Sequence, residues 1–141
     1  MSQSGLSTFD HTLHATHIWL SELMSTLGWE ERQHAYHALR ATLQVLRDQL
    51  TIEEVADLGA QLPMLVRGFY YEGWKPGRSQ RARKKQEFLD RVASKIPFQL
   101  NHPMETVVRE VFGVLSSHIS QVEIDDVKNI LSRKCRELWE E

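Results

Sequence analysis

Apolar residues recur at steps of three and four along almost the whole chain, the spacing of one buried face on an α-helix. Phe9, Leu13, Leu20, Met24 and Leu27 predict a first helix, capped by Ser7 or Thr8 and stopped by Gly28. A second helix from about Glu30 carries Ala35, Ala38, Leu39, Thr42, Leu43, Leu46 and Leu50 on one stripe. Thr51 reads as the cap of a short third helix, with Glu53 and Glu54 in its first turn and Val55, Leu58 and Leu62 buried. Pro63 opens a fourth, MLVRGFYY, because a proline at the first helical position forfeits no hydrogen bond. Gly73, Pro76 and Gly77 then predict a connecting loop over about 73–79. A fifth helix is expected from about Ser79 to Ile96, ahead of a break at Pro97, Asn101 and Pro103. The last two run from about Met104 to His118, and from about Val122 to Trp139 with Ser120 as cap. No segment alternates apolar and polar residues as a strand would, so strand content is expected near zero.

An internal repeat organises these elements. An offset of 69 residues lays Ala35 to Tyr70 over Met104 to Trp139 without a gap. Arg40/Arg109, Leu46/Leu115, Glu54/Glu123, Asp57/Asp126, Leu62/Leu131 and Arg67/Arg136 are identical pairs, and Thr51 falls on Ser120. The fold class expected is all-α: one domain over residues 1–141, a bundle of about six to seven helices built from two repeated helical hairpins. Arg67 and Arg136 should share one structural role, pairing with an acid such as Asp57 or Asp126.

Composition narrows the function classes. The chain has 141 residues, 41% hydrophobic and 26% charged, an ordinary globular balance. No stretch approaches the roughly 20 apolar residues that span a bilayer, and MSQSGLSTFD lacks the pattern of a secretory signal. A single cysteine, Cys135, excludes an intrachain disulfide and fits a cytoplasmic protein. Its repeat partner is Val66, so a buried apolar role is expected rather than nucleophilic chemistry. The net charge of -2 offers no global attraction to nucleic acid or membranes.

The run AYHALRATLQVLRDQLTIEEVADLGAQLPMLVRGFYYEGWKP resembles the bacterial family called domain of unknown function 2267. So do FDHTLHATHIWLSELMSTLGWEERQ, EFLDRVASKI and EIDDVKNIL, and the likeness spans about Phe9 to Trp139. The resemblance implies an all-helical protein of two related halves and carries no reaction, cofactor or catalytic residue. In the second half the family usually repeats the Leu-Pro found here at Leu62 and Pro63, whereas this chain has Leu131 and Ser132. That departure implies that the last two helical segments run together.

Few constellations point to chemistry. With the first two helices antiparallel about Gly28, His17 and His37 come within about one turn, ~5 Å, in height, a conceivable metal pair. His11, His14 and His34 fall out of reach of a larger cluster. Between Lys75 and Lys85 lie 6 of the 17 basic residues, including Arg78, Arg81, Lys84 and Lys85, with no acid among them. LTIEEVADLGAQLPMLVRGF is rejected as a DNA-reading helix-turn-helix, since Ala56 and Gly59 are spaced wrongly and the second helix bears one cation. Tyr71 and Trp74 lie off the repeated core stripe beside the basic loop, and amphipathic aromatics there can anchor a partner. Glu53, Glu54 and Asp57, like Glu123, Asp125 and Asp126, read as helix-start acids rather than a buried dyad. No catalytic triad, phosphate loop or nucleotide fingerprint is present.

The expectation is therefore a non-catalytic interaction or self-association module that needs no cofactor. Its partner-binding residues would be Tyr71, Trp74, Arg78, Arg81, Lys84 and Lys85, its partner a protein or a second copy, with neither membrane nor nucleic acid involved. A small-molecule or regulatory domain with a pocket between the halves is the alternative, and a metal protein using His17 and His37 the third.

Overall fold

The computed structural model of the protein describes residues 5–77 and 80–140. Its helices are α1 (Ser7–Leu27), α2 (Arg32–Arg47), α3 (Ile52–Ala60), α4 (Met64–Tyr71), α5 (Lys85–Ser94), α6 (Met104–His118), α7 (Gln121–Ile130) and α8 (Arg133–Arg136), closed by a 3-10 turn, Glu137–Trp139. No strand occurs among the described residues. Gly28 ends α1 as expected: its left-handed φ of 68° turns its amide back onto Met24 O.

The second helix forms the centre, with α1, α4, α5 and α6 all packed on α2. An amphipathic stripe would bury about half of it, yet every residue from Ala41 to Arg47 is buried. Two of the polar residues enclosed there, Gln44 and Arg47, are matched to main-chain groups, while the Thr42 hydroxyl is enclosed without a partner. Gln44 Nε2 donates to Phe69 O, and Arg47 Nη1 donates to Tyr70 O and Glu72 O, both at 2.9 Å. These acceptors are carbonyls at the end of α4, which has no further turn of helix to bond them. Gln49, just past α2, accepts from Ala82 N at 2.6 Å and donates to Val45 O.

That last bond explains a departure from expectation. The fifth helix begins at Lys85 rather than near Ser79, because the strap of residues 80–84 is held out of helical geometry, with Lys84 extended at φ -112° and ψ 147°. Ala82 is fully buried, its amide on Gln49 and its carbonyl accepting from Cys135 Sγ. A second departure lies at Leu131 and Ser132, where the expected fusion into one long helix does not occur. Ser132 adopts φ -58° and ψ 154°, close to the -54° and 147° of Pro63. Its hydroxyl accepts from Cys135 N and donates to Arg83 O, so it starts α8 by capping where proline starts α4 by its ring. At the N-terminus Leu6 takes the cap position of α1, with no side-chain bond from Ser7 or Thr8 to the first turn.

Several positions 69 apart carry the same local structure. Thr51 Oγ1 accepts from Glu54 N, and Ser120 Oγ from Glu123 N. Arg67 donates to Gly59 O and Leu62 O, and Arg136 to Lys128 O and Leu131 O. Both arginines thus bind carbonyls at the end of the preceding helix, in place of the expected Asp57 or Asp126. Leu39 and Val108 are each fully buried.

Arg47 is the polar residue on which this packing leans most, since its side chain is 4% exposed. Arg47→Met should lower unfolding stability by about 2–4 kcal/mol, because it strands two enclosed carbonyls. Arg40→Met, which removes an ion pair to the exposed Glu72, should cost under ~1 kcal/mol. Urea denaturation of both variants checks this; equal losses would contradict it.

Candidate functional site

Two arrangements are built from side chains that face something other than the core. The first lies where α3 packs on α7. Glu54 and Glu123 each stand three residues after a hydroxyl cap, a position from which a glutamate commonly reaches back to the cap residue's amide. At Ser120 that amide is already taken by Gln61 Oε1, at 2.9 Å. The two glutamates turn toward each other instead, and Oε2 of each is enclosed with no hydrogen-bond partner. Carboxylate oxygens of Glu54, Glu123 and Asp126 all lie within 4.8 Å of one another. Burial, then the close approach of the Glu54 carboxyl, then the charges of Glu54, Asp57 and Asp126 push the Glu123 carboxyl up to about 8. Reading these acids as solvated helix-start charges is thereby corrected: packing of α3 on α7 brings together residues far apart in sequence. The signal was available in the pairing of Glu54 with Glu123 and of Asp57 with Asp126.

The second is an open apolar groove of about 500 Å³ where α1, α2 and α4 diverge. Leu13, Thr16, His17 and Leu20 form one wall, Tyr36 with Arg32 and Gln33 another, and Leu65, Gly68 and Phe69 the third. Leu65 is exposed there, and Phe69 is half-buried against Tyr36 rather than wholly in the core. A Cβ built on Gly68 meets nothing within 4 Å, so the groove is open over that residue. Every lining residue lies between positions 13 and 72, so the groove belongs to the first half of the chain.

The residues singled out from sequence are placed as follows. Tyr71 and Trp74 touch at 5.5 Å between ring centroids, and both pack against the protein's own core. Tyr71 lies over Gly59, where an added Cβ would sit 2.6 Å from its hydroxyl. Arg78 falls outside the described residues. Arg81 is exposed but donates to Ile130 O, Lys84 is exposed, and Lys85 pairs with Glu105 at 3.4 Å. His17 lines the groove, while His37 lies between Tyr36 and Phe98, with Nδ1 enclosed and unbonded. Burial, then Arg40 and His34, lowers the His37 pKa, favouring the neutral ring. Among the described residues, the potential ligands drawn into a group of three are the carboxylates, not the histidines. Cys135 is buried, and burial pushes its thiol up, as its repeat partner Val66 led us to expect.

An all-α bundle with an enclosed carboxyl pair and an open groove defines the class. The sequence profile of the family described as "Uncharacterized conserved protein (DUF2267)" matches residues 16–138, and the chain belongs to that family. A comparison with curated proteins found no match. No helix among the described residues is long and apolar enough to cross a membrane.

The carboxyl pair sets a pH dependence. An unfolded Glu123 releases its proton near 4.5, whereas the folded protein keeps it up to about pH 8. The folded state therefore binds more protons between those values. The stability this adds is fully present below about 4.5 and is lost as pH rises through about 8. His37 acts with the opposite sign, but equally in wild type and variant. Melting temperatures from pH 5 to 9 should fall more steeply for wild type than for Glu123→Gln; parallel curves would refute the enclosed pair.

Proposed function

We propose that the protein is a non-catalytic binding module that receives an amphipathic helix of a partner protein in the groove between α1, α2 and α4. The observation that carries this reading is the groove itself: three mutually packed helices leave one apolar trough, walled by Leu13, Leu20, Tyr36, Leu65 and Phe69. A fourth helix laid there would bury its apolar residues at steps of three and four against all three walls, a common mode of helix recognition. Arg32 and Glu72, on opposite walls, supply rim charges that can orient the guest. This reading sets the primary contact away from Tyr71 and Trp74, which pack on the protein's own core, and from Arg81 and Lys85, which bond Ile130 O and Glu105. The strap's charges remain a secondary contact surface for the same partner.

A small apolar ligand is the second reading, since about 500 Å³ lies within the range of ligand sites. It differs from the pocket foreseen between two halves, because the groove lies within one.

Gly68 gives a direct test. A Cβ at Gly68 points into open space, so Gly68→Trp should fill the groove and fold with a melting temperature close to wild type. Helical peptides selected on the wild-type protein from a display library should bind this variant at least about tenfold more weakly. Undiminished binding would overturn the proposal. A concentration-dependent dimer in light scattering, abolished by the same substitution, would identify a second copy as the guest.

A further inference from the structure

We propose that Glu54, Glu123 and Asp126, with Asp57 beside them, form a binding site for a hard divalent cation of the calcium class. Glu123 is 6% exposed, and its Oε2 points into the cluster without a hydrogen-bond partner. Glu54 Oε2 is likewise enclosed and unbonded. An enclosed carboxylate oxygen that meets only other carboxylate oxygens lacks its natural counterpart, a proton or a cation.

The donor set and spacing favour a cation of defined chemistry. All the donors are carboxylate oxygens, a set that suits calcium, magnesium or manganese rather than zinc or copper. Oxygens on opposite sides of a calcium ion are about 4.6–5.2 Å apart, against about 4.0–4.2 Å for magnesium. The cluster's oxygens lie within 4.8 Å of one another, close enough for one calcium-sized ion to bridge them all. Asp126 is exposed, so the site opens to solvent on one side, where water can complete the coordination shell.

Local charge also calls for a cation. The N-termini of α3 and α7 contribute about half a positive charge each. Four carboxylates exceed that. Because the donors come from α3 and α7, a bound ion would clamp one segment of the chain to another far away in sequence.

The protein alone suffices for the test. Added CaCl2 should raise the wild-type melting temperature by about 4–6 °C at roughly tenfold excess over its Kd. Terbium, a luminescent calcium mimic, should emit on tyrosine excitation, since Tyr70 donates to Val55 O beside Glu54, and CaCl2 should displace it. Glu123→Gln and Asp126→Asn should each weaken both responses at least about tenfold; Asp126 is exposed, so its variant keeps the fold. Absence of both responses in wild type, or their persistence at full strength in both variants, would overturn the site and leave the pair as two carboxyls sharing a proton.

Discussion

The structure depends on enclosing the last two turns of α2 while giving the long polar side chains there main-chain partners. Four helices pack on it, and no solvent-facing stripe survives across its last two turns. Such burial is tolerable because Gln44, Arg47 and the following Gln49 meet main-chain groups that have no other partner. Those bonds in turn end α4 and hold the strap at Ala82, so the polar atoms at one end of a central helix position two segments that follow it.

The same logic governs the ends of α3 and α7. Each is closed by an arginine that reaches back from the next helix to two terminal carbonyls. A guanidinium is a rigid fork of donors, suited to binding two adjacent acceptors at once. Pro63 and Ser132 show one backbone requirement met by different chemistry. Both residues sit at nearly the same φ and ψ, one through a ring and the other through a hydroxyl that accepts an amide of the new helix.

The carboxyl pair and the groove stand in contrast to these matched helix ends. At the α3–α7 contact two carboxylate oxygens are enclosed without partners, and between α1, α2 and α4 an apolar trough is left open. Neither adds to the bundle's stability as isolated chemistry: an unpaired buried charge costs free energy, and an uncovered apolar wall forgoes burial. Sites that depart from local optimisation are where function is sought first.

From sequence alone the all-α class, the spans of the first four helices and of α6 to within a few residues, the stop at Gly28 and the caps at Thr51 and Ser120 were legible. Each depends on residues near one another in the chain: apolar spacing, a hydroxyl before a first turn, a glycine free to adopt positive φ. The paired acids at an offset of 69 were visible too, but not that they face each other. The strap's non-helical course, the break at Ser132, the carbonyl partners of Arg67 and Arg136 and the groove were decided by tertiary contacts. Ala82 is held by Gln49 and Cys135, and Glu123 meets Glu54, across separations that no local periodicity encodes. Local propensity sets which segments coil; the competition of buried polar groups for distant partners sets how those segments end and what they leave exposed.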